Sequence, residues 1–180
     1  VVVSNETCAN CHDDKFLGKF GIGFKHSGNY SNFEGECQMC HNPTRSGADA
    51  KSIQDHIDFK VRIHAHHANK RSGQDPVTFP ENYGNCAVCH DKGQLTMDGL
   101  GAMVATATTD ATLGMVEFSP IASTCVSCHG AGDSLVAHIR PNGGVANDPR
   151  GSYVPGSESC ATCHAEGKTN GVDAVHPVEW

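Results

Sequence analysis

The sequence predicts a fold of a few short α-helices and long loops, with little β-structure and a core that its own side chains do not fill. Leu, Ile, Val and Phe make up about 18% of the 180 residues, and at a net charge of −7 that share is below the roughly 20% at which disorder is suspected. Yet the chain contains ten cysteines and twelve histidines, which is not a disordered composition. Together these observations indicate that a bound group supplies the core.

The composition also excludes several partners. An acidic chain without a basic stripe has nothing to neutralise a row of phosphates, so no nucleic acid is expected. No run of about eighteen apolar residues is present, so no transmembrane segment is predicted. The opening VVVSNET has neither the charge nor the length of a signal peptide, and the chain is therefore expected to be a mature or trimmed product.

All ten cysteines fall into one repeated pattern, Cys-x-x-Cys-His. This is the attachment site of c-type haem, in which two thiols add to the haem vinyl groups and the adjacent histidine becomes the proximal iron ligand. With twelve histidines in 180 residues, the probability that a histidine follows all five cysteine pairs by chance is about one in a million. Five c-type haems (heme c) are therefore predicted, attached at Cys8, Cys11, Cys37, Cys40, Cys86, Cys89, Cys125, Cys128, Cys160 and Cys163, with proximal ligands His12, His41, His90, His129 and His164.

Two other uses of paired cysteines fit the pattern less well. Five disulfides in a secreted chain would not require a histidine after every second cysteine. Zinc ribbons need two cysteine pairs for each metal and would leave the fifth pair unused.

The spacing of the motifs predicts the architecture. They begin at residues 8, 37, 86, 125 and 160, which leaves about 36 residues for each haem. So little protein cannot close a sheet or a helix bundle around each macrocycle, so the haems must pack on one another. The prediction is a multihaem cytochrome c fold, with residues 1–180 as a single pentahaem domain. Pro141 to Ser159, with three Pro and four Gly, is predicted as a loop over the haem faces, and Thr96 to Thr124 shows no reliable periodicity.

The histidines outside the motifs decide the chemistry. A second histidine gives a saturated iron that only passes electrons, a methionine does the same at a higher potential, and an empty position admits a substrate. Met97, Met103 and Met115 are minor alternatives, since packing roles suit them better. Histidine on both sides of every iron is therefore predicted, with second ligands His26, His64, His67, His138 and His176; which of these serves which haem is left open.

One predicted helix carries two of these second ligands. Residues 52–70 have an apolar stripe at Ile53, Ile57 and Val61. At about 100° per residue, His64 and His67 lie roughly 60° apart on neighbouring turns. They are expected to reach two different haems, so that the helix acts as a spacer between neighbours.

Two further histidines in this region are predicted to be surface residues. His66 points about 160° away from His64 around the helix. His56 lies between two acidic residues, Asp55 and Asp58. Both are therefore expected to be solvated and not to bind iron.

These motifs resemble the outer-membrane decahaem cytochrome family of metal-reducing bacteria, specifically one of its two pentahaem domains. The segment DFKVRIHAHH (58–67) is similar to the paired-histidine helix of that family. Further likeness lies in FPENYGNCAVCH (79–90), in SPIASTCVSCH (119–129) with His138 downstream, and in the closing CATCH with His176 beyond it. The resemblance implies bis-histidine haems that form an electron conduit at the cell surface, serving metal oxides, soluble redox shuttles or other multihaem cytochromes.

The chain also departs from that family. The β-barrel domains and the second set of five haems are not in this sequence, His66 stands where an apolar residue is usual, and His56 is extra. The chain is thus either a fragment or a free-standing pentahaem protein. In a free-standing protein, an extra histidine could ligate a haem of the next copy and build a filament.

Electron transfer without substrate chemistry is the predicted function, so the chain is not expected to be an enzyme beyond non-specific metal reduction. The main alternative is a reductase of nitrite, sulfite or a similar small molecule, which needs one open haem. One pentahaem nitrite reductase family replaces a proximal histidine by lysine, whereas all five motifs here end in histidine. The expected location is extracellular, at the outer-membrane surface, with the periplasm as the alternative.

Overall fold

In the computed structural model of the chain, the described residues are 3, 7–8, 37–45, 52–73, 77, 85–95, 97, 103–176 and 178–179. Short helices predominate there, as the sequence predicts, and none of them is long or apolar enough to cross a membrane. The helices are α1 (Cys37–Cys40), α2 (Phe59–His67), α3 (Pro120–His129), α4 (Asp133–Ile139), α5 (Ala161–His164) and α6 (Val172–Val175), with 3-10 turns at Ile53–Asp55, Cys86–Val88 and Arg140–Asn142.

A small antiparallel sheet joins these helices. Its strands are β1 (Thr106–Asp110), β2 (Gly114–Phe118) and β3 (Ala146–Pro149), in the order β1-β2-β3. The Asp110 carboxylate stabilises the short β1–β2 turn. It accepts hydrogen bonds from the backbone N–H groups of Thr112 and Leu113, each at 2.8 Å. Gly114 completes the turn at a φ of 78°, a conformation that glycine adopts without steric cost.

The sheet is more β-structure than the sequence predicts. β1, β2 and α3 lie in or overlap the segment for which no periodicity is found, and β3 interrupts the predicted loop. The reason lies in the pattern of burial. Thr106, Ala107 and Thr108 are all buried, so β1 does not alternate between apolar and polar residues as a half-exposed strand would.

The apolar core is small and lies where α2, α3 and α4 meet the sheet. Its centre consists of three valines with no exposed surface, Val61, Val116 and Val126. Around them the buried cluster includes Ile53, Phe118, Ala122, Val136, Ile139 and Ala146. A core of this size agrees with the low apolar content of the sequence.

The helix predicted over residues 52–70 is divided in two. The 3-10 turn ends at Asp55 and α2 begins at Phe59. Between them His56 and Asp58 have extended backbone, with ψ values of 151° and 127°. The backbone N–H of Asp58 donates to Nδ1 of His56 at 2.9 Å, which stabilises the break because it gives a buried N–H a partner outside the helical pattern.

The break buries polar side chains next to β1. His56 has no exposed surface and Asp58 is 3% exposed, so the prediction of a solvated His56 is wrong. Asp58 forms an ion pair with Lys60 and accepts a hydrogen bond from Thr106 Oγ1. Lys60 Nζ also donates to Thr106 Oγ1 at 2.9 Å. This polar cluster, comprising His56, Asp58, Lys60 and Thr106, connects the start of α2 to β1.

Candidate haem centres

Most of the predicted haem-binding residues lie in the described part of the chain, but Cys11, His12 and His26 lie outside it. The motif cysteines whose surroundings are described are half-buried or exposed, and Cys40, Cys89 and Cys163 are among the exposed ones. Helical turns present four of the motifs, because each begins or ends within α1, the turn at 86–88, α3 or α5. The sulfur atoms whose surroundings are described are thus at least partly accessible to a large planar group.

Three motif histidines each face a histidine from outside the motifs. The ring centres are 6.2, 6.0 and 6.0 Å apart, and the ring planes are inclined by 3°, 56° and 78°, respectively, in the pairs His64–His90, His129–His176 and His138–His164. All six of these histidines are predicted iron ligands. The structure therefore brings together partners that the sequence could not match.

These separations fit a metal ion between the rings. A metal–imidazole bond is about 2.0–2.1 Å long. With C–N bonds of about 1.33 Å, the nitrogen lies about 1.1 Å from the centre of its ring. Two imidazoles on opposite sides of one metal thus have ring centres about 6.2–6.4 Å apart. The His64–His90 separation of 6.2 Å falls in this range, and the other two, at 6.0 Å, lie just below it. The pairs are thus compatible with a haem iron that would take its remaining ligands from the macrocycle.

The second ring nitrogen of five histidines is held by the backbone. Within α2, Nδ1 of His64 donates to the Lys60 carbonyl at 2.7 Å and Nδ1 of His67 donates to the Ile63 carbonyl at 2.9 Å. The same kind of bond, at 2.7–2.8 Å, joins His41 to Ile57, His164 to Asn170 and His176 to Val172. A carbonyl only accepts, so Nδ1 carries the proton. Nε2 is then the ring nitrogen that carries the lone pair, and a metal-ligating histidine whose Nδ1–H is bonded to the backbone uses that atom.

The two remaining histidines of α2 differ in their surroundings. His67 has its Nδ1 anchored like His64, and its ring meets that of His66 edge to face, with centres 5.7 Å apart. His66 is half-buried, so it is less exposed than the sequence predicts. The helical conformation predicted for this histidine cluster is confirmed over Phe59–His67.

The third, fourth and fifth motifs are neighbours through their thiols. Burial first, and then the Cys160 thiol and the Glu158 carboxylate, raise the pKa of Cys125 to about 11. Burial raises the pKa of Cys86, and the Cys128 thiol contributes in the same direction. These cysteines are thus neutral at physiological pH, and a neutral thiol is a poor nucleophile in unassisted oxidation.

The fourth motif also contacts α2. The Cys128 thiol donates to the backbone carbonyl of His64 at 3.7 Å, and α2 packs directly on α3. His64, which pairs with His90 of the third motif, therefore lies on a helix that contacts the fourth motif.

A zinc site is the alternative use of these residues. Across the ranges that the structure describes, no three His, Cys, Asp or Glu side chains come together to hold a metal ion. Two opposed imidazoles beside a pair of thiols suit a macrocycle, because it supplies the other iron ligands itself. The motifs, the histidine pairs and the Nδ1 anchors define a protein of the c-type cytochrome class.

Comparison with known proteins identifies the family. The family model described as outer membrane cytochrome MtrC/MtrF-like, domains II/IV, matches residues 1–177, and the chain belongs to this family. Its fold is similar to that in the crystal structure of MtrC from Shewanella baltica OS185, with a TM-score of 0.57 and 22% identity over 91% of this chain. The match spans only 26% of the MtrC chain. No curated protein matches the sequence.

Proposed function

We propose that this chain is an electron-transfer domain that binds five c-type haems, one at each Cys-x-x-Cys-His motif, with two histidines on every iron. Supporting evidence comes from the three histidine pairs, each of which joins a motif histidine to one outside the motifs at the separation that two axial ligands need. A haem bound in this way takes up and releases one electron without a bond forming or breaking.

The proposed ligand sets follow from the pairs. His90 and His64 serve the third haem, His129 and His176 the fourth, and His164 and His138 the fifth. For the first and second haems the motif ligands are His12 and His41, and the second ligands are His26 and His67, in either order. The anchored Nδ1 atoms of His41 and His67 support their inclusion, because a proton on Nδ1 makes Nε2 the nitrogen with the lone pair.

These residues favour a conduit over a reductase. If each pair holds an iron as proposed, both of its histidines would be ligands and a substrate would have no place to bind. Backbone anchors hold the rings in one orientation, so little reorganisation accompanies a change of charge. The thiols of the third, fourth and fifth motifs influence one another's pKa values, so haems attached there would lie close enough to favour transfer between them. No observation in the described residues favours a filament.

The acceptors are proposed from the family. Its name places these cytochromes at the outer membrane, and this chain would act there on the external side. Metal oxides, soluble shuttles and partner cytochromes are suitable acceptors, because electrons leave through haem edges and need no shaped pocket.

Two measurements on the unmodified protein test the proposal. The intact mass should exceed that of the polypeptide by five haems that survive acid–acetone extraction. The reduced protein should show only low-spin spectra and should not bind carbon monoxide at neutral pH, because every iron has two histidines. Three or four haems would contradict the stoichiometry. Stoichiometric carbon monoxide binding would reveal an open iron and favour the reductase.

A further inference from the structure

The side chain of Glu158 caps a helix to which it does not belong. Its carboxylate accepts hydrogen bonds from the backbone N–H groups of Ile121 and Ala122, at 3.0 and 2.9 Å, in the first turn of α3. It also accepts from Ser119 Oγ at 2.6 Å. A carboxylate in this position satisfies donors that a helix leaves unpaired and interacts favourably with the positive end of its dipole.

The backbone around Glu158 is fixed on both sides. Ser157 Oγ donates to the Gly143 carbonyl at 2.6 Å, and the Ser159 N–H donates to the Asn142 carbonyl at 3.0 Å. Gly143 has a φ of 75°, and a Cβ there would lie 1.9 Å from the Ser157 carbonyl oxygen. The segment before the fifth motif is therefore held tightly against the residues that follow α4, the helix that carries His138.

Glu158 thus lies between two haem-binding units. One is α3, which ends in the fourth motif. The other consists of α4 with His138 and the fifth motif with its partner His164. The negative charge of Glu158 raises the pKa of the first cysteine of each motif, Cys125 and Cys160, after the larger effect of burial. The geometry places both cysteines near this one carboxylate, because Cys160 is two residues away in sequence and Cys125 lies about one helical turn after Ile121.

We propose that Glu158 is a positioning residue that holds the fourth and fifth haems at a fixed spacing and, through its charge, lowers the reduction potentials of both. The inference rests on the proposed function, since it requires haems at these two motifs. Glu158 contacts neither iron ligand of either pair in the described contacts. It acts through the helix it caps and through its field.

The direction of the electrostatic effect follows from charge. An iron with two neutral imidazoles is one unit more positive when oxidised than when reduced. A nearby carboxylate therefore stabilises the oxidised form and disfavours the incoming electron. Because Glu158 is half-buried, solvent and salt screen its field less than that of a surface carboxylate.

The test is Glu158→Gln in the haem-loaded protein, with redox titration followed by optical and electron paramagnetic resonance spectroscopy. Glutamine keeps the length and one acceptor oxygen but removes the charge. Two of the five midpoint potentials should rise while the other three stay in place. Glu117→Gln is the matched control, because Glu117 is also a buried carboxylate that accepts a backbone N–H, that of Tyr153 at 2.5 Å. It should raise the potentials of the fourth and fifth haems less than Glu158→Gln does, because the backbone N–H that Glu117 accepts is that of Tyr153 and not one in the first turn of α3.

A second variant separates position from charge. Glu158→Asp keeps the charge but draws the carboxylate back from α3, so the magnetic coupling between the two haems should weaken while their potentials stay low. If Glu158→Gln loses haem, peptide mapping shows where, and loss confined to the fourth and fifth motifs supports the positioning role. Loss spread over other motifs, unchanged potentials in Glu158→Gln, or unchanged coupling in Glu158→Asp would overturn the inference. Empty fourth and fifth motifs in the unmodified protein would instead contradict the proposed function.

Discussion

His64 is the residue whose surroundings are most fully determined. It lies in the middle of α2, its Nδ1 is bonded to Lys60, and its ring is parallel to that of His90. Burial lowers its pKa, and the positive forms of His90 and His67 would lower it further. The imidazole is thus held neutral, which is the form that binds a metal.

Replacement of His64 by alanine should open the iron of the third motif. The expected result is a high-spin signal and carbon monoxide binding by one haem in five, because the iron of the third motif would keep only His90 as a histidine ligand. His66→Ala on the same helix is the control and should leave the spectrum unchanged, since His66 contacts His67 edge-on and belongs to none of the three pairs. A purely low-spin His64→Ala protein would show that the pair does not hold an iron.

His56 should make stability depend on pH. Burial lowers its pKa below the ordinary value of 6.5, while Asp58 acts in the opposite direction. When the pH falls below about 6.5, the unfolded chain binds a proton there that the folded protein does not. Stability is therefore complete above that pH and decreases as the pH falls towards the folded pKa, by up to about 1.4 kcal/mol per pH unit for one group.

The variant His56→Asn should reduce this dependence, because the amide oxygen can accept the Asp58 N–H without titrating. Denaturant unfolding of the haem-loaded protein at pH 7.5 and at pH 5.5 provides the measurement. Equal pH dependence in the two proteins would exclude His56 as the source.

At the scale of elements, the polar cluster determines how α2 meets the sheet. Lys60 and Asp58 have side chains only 12% and 4% exposed. Lys60→Met should therefore cost about 3–5 kcal/mol of unfolding free energy, because it leaves the Asp58 charge buried without its cation.

An exposed ion pair provides the comparison. Arg140 and Asp148 are 2.9 Å apart with side chains 51% and 24% exposed, and Arg140→Met should cost only about 0–1 kcal/mol. The loss of unfolding free energy in each variant is measured from its denaturant midpoint relative to that of the unmodified protein. Similar losses would mean that the buried pair contributes no more than the surface pair.

The same elements show what could be predicted from sequence. The helix that contains the histidine cluster could be predicted because its periodicity lies within one segment of the sequence. The Cys-x-x-Cys-His motifs could be predicted because their functional residues are close together in sequence. The break at His56 was not, since it depends on Asp58 reaching β1, which is 48 residues away in sequence at Thr106. The hairpin was missed because a short strand buried on both faces has no alternation to detect.

For the whole molecule, the sequence predicts a scarcity of core, and the structure has a small one. The predicted haem ligands could be named but not paired, because each pairing joins residues from 26 to 47 positions apart whose proximity depends on the entire fold. Glu158 carried no signal at all. A glutamate in a loop rich in glycine and proline becomes a helix cap only when distant segments meet.

Two of the three histidine pairs are nested along the chain, and this has a consequence for maturation. A polypeptide that emerges from its N-terminus completes the pair between residues 138 and 164 before the pair between residues 129 and 176. The fourth motif, although it precedes both, finds its second ligand only at His176. On the proposed ligand sets, the iron of the fourth haem would be the last of the three to lose its open site, and it could bind foreign ligands during biogenesis after its neighbours no longer can.

A chain that ends at Gly171 reproduces this immature stage. It keeps Asn170, whose carbonyl anchors His164, but it lacks His176. We expect one haem in five to be high-spin and to bind carbon monoxide, with the fifth motif already low-spin, whereas a fully low-spin product would contradict this order. The segment after Gly171, which contains His176, would then determine when the iron of the fourth motif loses its open site.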